Sequence, residues 1–237
     1  MAERHIVAMG GGGFSMEPRN PRLDDFVLSL ARRKQPPRVC FVGTASGDSD
    51  WYIRRFHEGF PPSRAAATHL TLFDRKVSDL KKFVLGQDVI YVGGGSSANM
   101  LAVWRLHGLD KVLRAAWNAG VVMAGISAGA ICWFEDGVTD SFGMPFRALN
   151  DGLGFVRGAC CPHYDGEKER RLVLMRLIKR GFPSTLALDD DAAAHFVGTR
   201  LAEVVSSRRK ARAMRVELKR GIVVETAIPV RYLDAGK

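Results

Sequence analysis

The chain has 237 residues, 46% of them hydrophobic and 25% charged, with a formal net charge of +10, an ordinary globular composition long enough for one large core and one domain over residues 1–237. No stretch approaches the roughly 20 uncharged apolar residues that span a bilayer, and Met1–His5 leads into a strand rather than a signal-like apolar region, so a cytoplasmic protein with no membrane partner is expected. The positive charge is scattered, with no aromatic interleaving and no recognisable nucleic-acid module, which argues against nucleic acid as a partner.

The first predicted strand, His5–Met9, runs into Gly10-Gly11-Gly12-Gly13. The full G-x-G-x-x-G pattern with a downstream acid is missing, so this reads as a tight turn beside the active site rather than a dinucleotide loop. Asn20-Pro21 opens a helix whose apolar face is Leu23, Phe26, Val27, Leu30 and Ala31. Strands at Arg38–Thr44, Thr68–Phe73 and Asp88–Val92 then alternate with helices at Ser49–Glu58, Ser97–Leu106 and Asp110–Ala119, the pattern of βα units and a mostly parallel sheet flanked by helices.

Gly93-Gly94-Gly95, between a strand and a helix, offers backbone N–H groups unshielded by side chains. The apolar strand Val121–Ala124 ends in Gly125-Ile126-Ser127-Ala128-Gly129, ahead of a helix expected over Ala128–Phe134. A G-x-S-x-G turn in that setting is a nucleophile elbow, in which flanking glycines let the chain turn tightly enough to hold the serine hydroxyl clear of both elements. Ser127 is the candidate nucleophile.

A strand over Gly154–Cys160 leads to Pro162-His163-Tyr164 and a helix over Glu167–Lys179. His163 therefore lies on the same carboxyl-end rim as the elbow, where open parallel sheets place their sites, and is the candidate general base. The strand Thr185–Leu188 carries Asp189-Asp190-Asp191 to that rim. Three adjacent carboxylates repel, so at least one needs a hydrogen-bonding partner, and any of them could orient the histidine, as could Asp136, Asp140 or Asp165. Strands at Arg200–Val205, Ala213–Leu218 and Ile222–Thr226 alternate in period two, which reads as a C-terminal antiparallel extension. The run Arg208-Arg209-Lys210-Ala211-Arg212 between them reads as a solvated hairpin turn.

Cys40, Cys132, Cys160 and Cys161 have no framework spacing and read as reduced buried thiols. Adjacent Cys160 and Cys161 point to opposite faces of an extended chain and no second ligand pair is apparent, so neither a metal nor a cofactor is expected.

Gly93-Gly94-Gly95 with Asn99, Gly125-Ile126-Ser127-Ala128-Gly129-Ala130, Pro162-His163-Tyr164 and Leu188-Asp189-Asp190-Asp191-Ala192-Ala193, in this order, resemble the peptidase E family of serine peptidases. This family, S51, contains the aspartyl dipeptidases and is related to cyanophycinases; the resemblance covers most of the chain. It implies a fold similar to class I glutamine amidotransferase domains and a triad of Ser127, His163 and Asp190, with the Gly95 and Ala128 N–H groups as oxyanion donors. Two departures bear on substrate choice. Ser96 stands where the enteric aspartyl dipeptidases have Asn, and the position of their substrate-reading Arg falls on Lys168, or with a small shift on Arg170 or Arg171. Lys attracts a carboxylate without a bidentate fork, so broad rather than strict acidic preference is expected.

The reading is a serine exopeptidase acting on short peptides through an acyl-enzyme, with a homodimer left open. An α/β-hydrolase-like esterase shares the elbow but has its acid between serine and histidine, and a non-catalytic small-molecule-binding module of the same fold is the other alternative. A glutamine amidotransferase would need Cys at position 127.

Overall fold

The computed structural model describes residues 3–32 and 36–234, with the Lys168 side chain outside the described part. Its heart is five parallel strands, β1 (His5–Met9), β2 (Arg38–Val42), β3 (Ala66–Leu70), β4 (Val89–Val92) and β5 (Val122–Ile126), in the order β1-β5-β4-β2-β3. Successive side chains of a strand leave on opposite faces. Val7, Met9, Phe41 and Tyr91 accordingly pack with residues of α1 (Gly13–Met16), α2 (Arg22–Ser29) and α3 (Asp50–Gly59). Ile6, Ala8, Cys40 and Ile90 pack with residues of α4 (Leu80–Leu85), α5 (Ser97–His107) and α6 (Leu109–Asn118). Helices on both faces explain why these strands read as continuous apolar runs.

A second sheet is built from β6 (Phe134–Thr139), β7 (Arg147–Leu149), β8 (Val156–Cys161) and β9 (Thr185–Leu188). α7 (Ala128–Ile131) joins β5 to β6, and α8 (Lys168–Lys179) joins β8 to β9. The chain then crosses back to the first sheet as β10 (Ala192–Val197) and β11 (Arg200–Ser206), returns to the second as β12 (Ala213–Lys219) and β13 (Ile222–Ile228), and ends beside β11 as β14 (Val230–Tyr232). The full orders are β14-β11-β10-β1-β5-β4-β2-β3 and β13-β12-β9-β8-β6-β7. One apolar cluster includes Ile6 and Met123 of the first sheet and Cys160 and Leu186 of the second, so the sheets share a core. A further cluster packs Leu174 and Ile178 of α8 on Cys161 and Val216.

The expectation of one mostly parallel sheet with an antiparallel extension holds for β1 to β5 and is corrected elsewhere. The extension divides, β11 pairing antiparallel with β10 in the first sheet and β12 with β9 in the second. The helix expected over Ala128–Phe134 is a single turn, because Phe134 starts β6, which pairs with β8 through Phe134↔Val156 and Gly137↔Cys160. Four strands, β6, β7, β10 and β14, and two helices, α1 and α4, went unread. Charged Glu135-Asp136 masks β6, and the small run Ala192-Ala193-Ala194 hides β10, a buried strand of weak intrinsic β preference.

All four cysteines are free and buried, with Cys160 and Cys161 in different apolar clusters on opposite faces of β8. No helix of the described residues is long and apolar enough to cross a membrane.

Asp24 is 1% exposed and accepts a 2.8 Å hydrogen bond from the Tyr91 hydroxyl. Burial pushes its carboxyl from 3.8 up to about 7, against the pull of that bond. A raised carboxyl pKa means the native state holds a proton the unfolded chain releases, so this group's favourable contribution is complete below pH 3.8 and is lost as pH rises through about 7. Three pKa units correspond to about 4 kcal/mol. Urea unfolding of Asp24→Asn and wild type from pH 4 to pH 8 should therefore show the variant gaining stability relative to wild type across that window. A difference independent of pH would contradict this.

Candidate active site

The elbow is built by close packing. A Cβ on Gly125 would lie 2.1 Å from the Gly129 carbonyl oxygen, and one on Gly129 would lie 2.4 Å from that of Val92. Neither position admits a side chain, so both glycines of the G-x-S-x-G are required for α7 to seat on β4 and β5. Between them Ser127 takes φ 56° and ψ −110°, a strained left-handed conformation held by an N–H bond to the Met9 carbonyl at 3.0 Å.

The next carbonyl along holds the histidine. The Gly10 oxygen accepts the His163 N–H at 3.2 Å, and His163 too has a positive φ of 53°. Adjacent peptide units at the end of β1 thus fix the backbones of Ser127, from the first sheet, and His163, from the second. His163 Nδ1 lies 2.6 Å from Asp190 Oδ1. The Asp190 carboxylate is wedged between glycines, since a Cβ on Gly11 would fall 2.1 Å from Oδ1 and one on Gly166 2.4 Å from Oδ2. Gly10 must likewise be bare, 2.3 Å from the Asp189 carbonyl oxygen. The four-glycine run is therefore the tight turn beside the site that the sequence suggested.

No hydrogen bond joins the Ser127 hydroxyl to His163, and neither the hydroxyl nor His163 Nε2 has a partner among the described residues. Nucleophile–base bonds are often loose without substrate and tighten when it binds. The Gly93–Gly95 loop lies against the serine, with the position of a Gly94 Cβ 3.4 Å from Ser127 Cβ. Gly94 donates its N–H to the Tyr52 hydroxyl at 3.2 Å, and Tyr52 is bonded in turn to Ser15 Oγ at 2.8 Å. The Gly95 and Ala128 N–H groups meet no protein acceptor among the described residues.

Strand alternation would send Asp189 and Asp191 to one face and Asp190 to the other. Instead the three residues form the turn that carries the chain from β9 to β10, with Asp191 at φ 66°, and each carboxylate finds its own partner. Asp189 Oδ2 accepts the Arg212 N–H at 2.9 Å and its Nε at 3.1 Å. Asp191 takes Arg208 Nε at 3.1 Å, while Arg208 Nη2 reaches Asp165 at 2.6 Å and the Asp190 carbonyl at 2.9 Å. Asp165 accepts the Asp190 N–H at 2.8 Å. The basic run is the turn expected, with Arg209, Lys210 and Arg212 exposed, but it joins strands of different sheets rather than a hairpin, and Arg208 and Arg212 are counter-ions to the aspartates, a role the matched charge of the two runs could have suggested. Burial pushes the Asp189 carboxyl up, and burial beside Glu17 pushes Asp191 up to about 6 despite Arg208. Against its own burial, Asp165 is held below the usual range by the Asp190 N–H and Arg208.

Three of the four residues expected to bind substrate are engaged elsewhere. Arg170 is 2% exposed, bonded to Glu167 and the Val138 carbonyl and stacked over Phe146, so its role is to anchor α8. Arg171 pairs with Glu225, which also accepts the Tyr164 hydroxyl. Ser96 caps α5 through the Asn99 N–H at 3.3 Å. The Lys168 side chain lies outside the described residues. Asp136 is half-buried on β6 and Asp140 exposed beyond it, and neither bonds His163. His5 pairs with His195 and His57 with His69. No group of three or more His, Cys, Asp or Glu side chains among the described residues could hold a metal ion.

A hydroxyl on a strained elbow, an imidazole held at Nδ1 by a carboxylate and open at Nε2, and two unused amide N–H groups form a set that can attack and stabilise an acyl centre. Comparisons with known proteins agree in kind. The model of peptidase family S51 matches residues 6–204. A relative from Bacillus subtilis (strain 168) named "Uncharacterized peptidase YgaJ" is 53% identical over 231 residues, covering 97% of this chain and 99% of that protein. The crystal structure of a peptidase from an acI-B1 Actinobacterium superposes with a TM-score of 0.71 at 18% identity, covering 96% of this chain and 95% of the other. That of a putative peptidase E protein from Listeria monocytogenes EGD-e gives 0.64 at 16% identity, covering 87% and 99%. At such identities the two structures show the shared fold alone.

Proposed function

We propose that this chain, which belongs to peptidase family S51, is a cytoplasmic, single-domain serine exopeptidase that hydrolyses short peptides through Ser127, His163 and Asp190. The observation that carries the reading is the 2.6 Å Asp190–His163 bond beside an elbow serine whose amide and that of His163 hang from the successive Met9 and Gly10 carbonyls at the end of β1. In the proposed reaction His163 Nε2 takes the Ser127 proton as Oγ attacks the scissile carbonyl, then returns it to the leaving amine. Asp190 keeps the other proton on Nδ1 and stabilises the imidazolium, and the Gly95 and Ala128 N–H groups receive the oxyanion. Water, activated by the same histidine, then releases the acyl group from Ser127. The chain order Ser, His, Asp supports a peptidase of this family over an α/β-hydrolase, whose acid precedes its histidine. Screening a dipeptide library against wild type and Ser127→Ala tests the reading: hydrolysis of at least one dipeptide by wild type alone supports it, and equal hydrolysis by both contradicts it.

With Arg170 and Arg171 tied to carboxylates of the chain itself, no described guanidinium in the first turn of α8, next to His163, is left to read an acidic side chain. Asp-Leu, Glu-Leu and Ala-Leu should then be cleaved within about tenfold of one another, a spread of about 1.4 kcal/mol. A preference for Asp-Leu of about a hundredfold or more, erased by Lys168→Ala, would establish a dedicated acidic subsite instead.

Arg208 positions Asp190 without touching substrate, bonding its carbonyl directly and its amide through Asp165. Arg208→Ala should lower kcat by up to about a hundredfold, the cost of a misplaced catalytic group, with a smaller change in KM and partial rescue by Arg208→Lys. An unchanged kcat would reduce Arg208 to a folding role.

A further inference from the structure

We infer that the cleft between the two sheets, at the end remote from Ser127, is a binding site for a small organic carboxylate with an apolar body. His163 and Asp190 follow the carboxyl ends of β8 and β9. A cavity of about 220 Å³ lies at the opposite ends of the same strands, bounded by Val156, Ser184 and the β10–β11 turn at Thr199. It is therefore separate from the catalytic rim and draws its walls from both sheets.

Its floor and its rim differ in chemistry. Phe134 and Phe196, edge to face at 5.7 Å between ring centroids, make an apolar floor with Leu186. Arg157 and Arg215 stand on the rim, and no acidic residue lines the cavity. Neither guanidinium has a hydrogen-bond or ion-pair partner among the described residues, and the hydroxyls of Ser184 and Thr199 are equally free. Elsewhere Arg170, Arg171, Arg208 and Arg212 are each spent on an internal carboxylate. An apolar basin bordered by a few unused polar groups is the usual form of a small-molecule site, and a guanidinium fork suits a planar carboxylate better than a point charge does. The floor supplies burial for an aromatic or branched body.

Isothermal titration of the whole chain with 3-phenylpropionate, with its uncharged amide and with inorganic phosphate tests this, using wild type, Ser127→Ala and Arg157→Ala/Arg215→Ala. Both arginines are exposed, so removing them leaves the core intact. The carboxylate should bind wild type and Ser127→Ala alike, saturably, and at least about tenfold more weakly to the double variant. It should also raise the melting temperature of the first two proteins and not of the third, because it binds only the folded cleft. The amide should bind at least about tenfold more weakly than the acid. Equal affinity in the double variant, absence of saturation, or phosphate binding as tightly as phenylpropionate would each overturn the proposal. The outcome does not depend on whether Ser127 is a nucleophile.

Discussion

Ser127→Ala is expected to abolish peptide hydrolysis while leaving the fold unchanged. The side chain is half-buried, and its hydroxyl bonds nothing among the described residues, so removing it orphans no buried donor and opens no cavity. The φ of 56° is already borne by a residue with a Cβ, and alanine adds no strain beyond it. Substitutions without such consequences stay within about 0.5 kcal/mol of wild type, so urea unfolding curves should coincide. Turnover should fall by about six orders of magnitude, the scale of losing a triad nucleophile. A purified variant keeping even about a tenth of wild-type turnover would show that the hydroxyl forms no obligatory intermediate.

His163→Gln is expected to have an effect nearly as large. In the proposed reaction the imidazole accepts the serine proton and returns it to the leaving amine. Glutamine can donate to Asp190 in place of Nδ1 but cannot accept and return a proton, so the variant should lose at least about four orders of magnitude in turnover. A folded variant that keeps about a tenth or more of wild-type turnover would assign the base to another group.

The parts of this site legible in the sequence were those in which local backbone demands coincide with the chemistry. Gly125 and Gly129 are readable because the elbow admits no other residue at either position, and the Gly10–Gly13 run could be recognised as a site-lining turn for the same reason. His163 was placed by the end of one strand. The choice among three adjacent aspartates was not readable from alternation, because Asp189–Asp191 is a turn between sheets rather than the end of one. Arg208 was misread because its partners, Asp165, Asp190 and Asp191, are 17 to 43 residues distant along the chain, beyond any helical or strand periodicity. The basic residues following His163 looked available to substrate, yet two are consumed by Glu167 and Glu225. The fold shows the same division: buried β1, β2, β4 and β5 announce themselves as apolar runs, whereas β6 and β10, paired through charged or very small residues, do not.

Covalent trapping tests the central claim most directly. Wild type, Ser127→Ala and His163→Gln are treated with a fluorophosphonate probe, digested, and mapped by mass spectrometry. The expected result is a single stoichiometric adduct on the peptide carrying Ser127 in wild type, none in Ser127→Ala, and strongly slowed labelling in His163→Gln. An adduct on any other serine, or dipeptide hydrolysis that persists after the probe has been added in excess without modifying Ser127, would contradict the account.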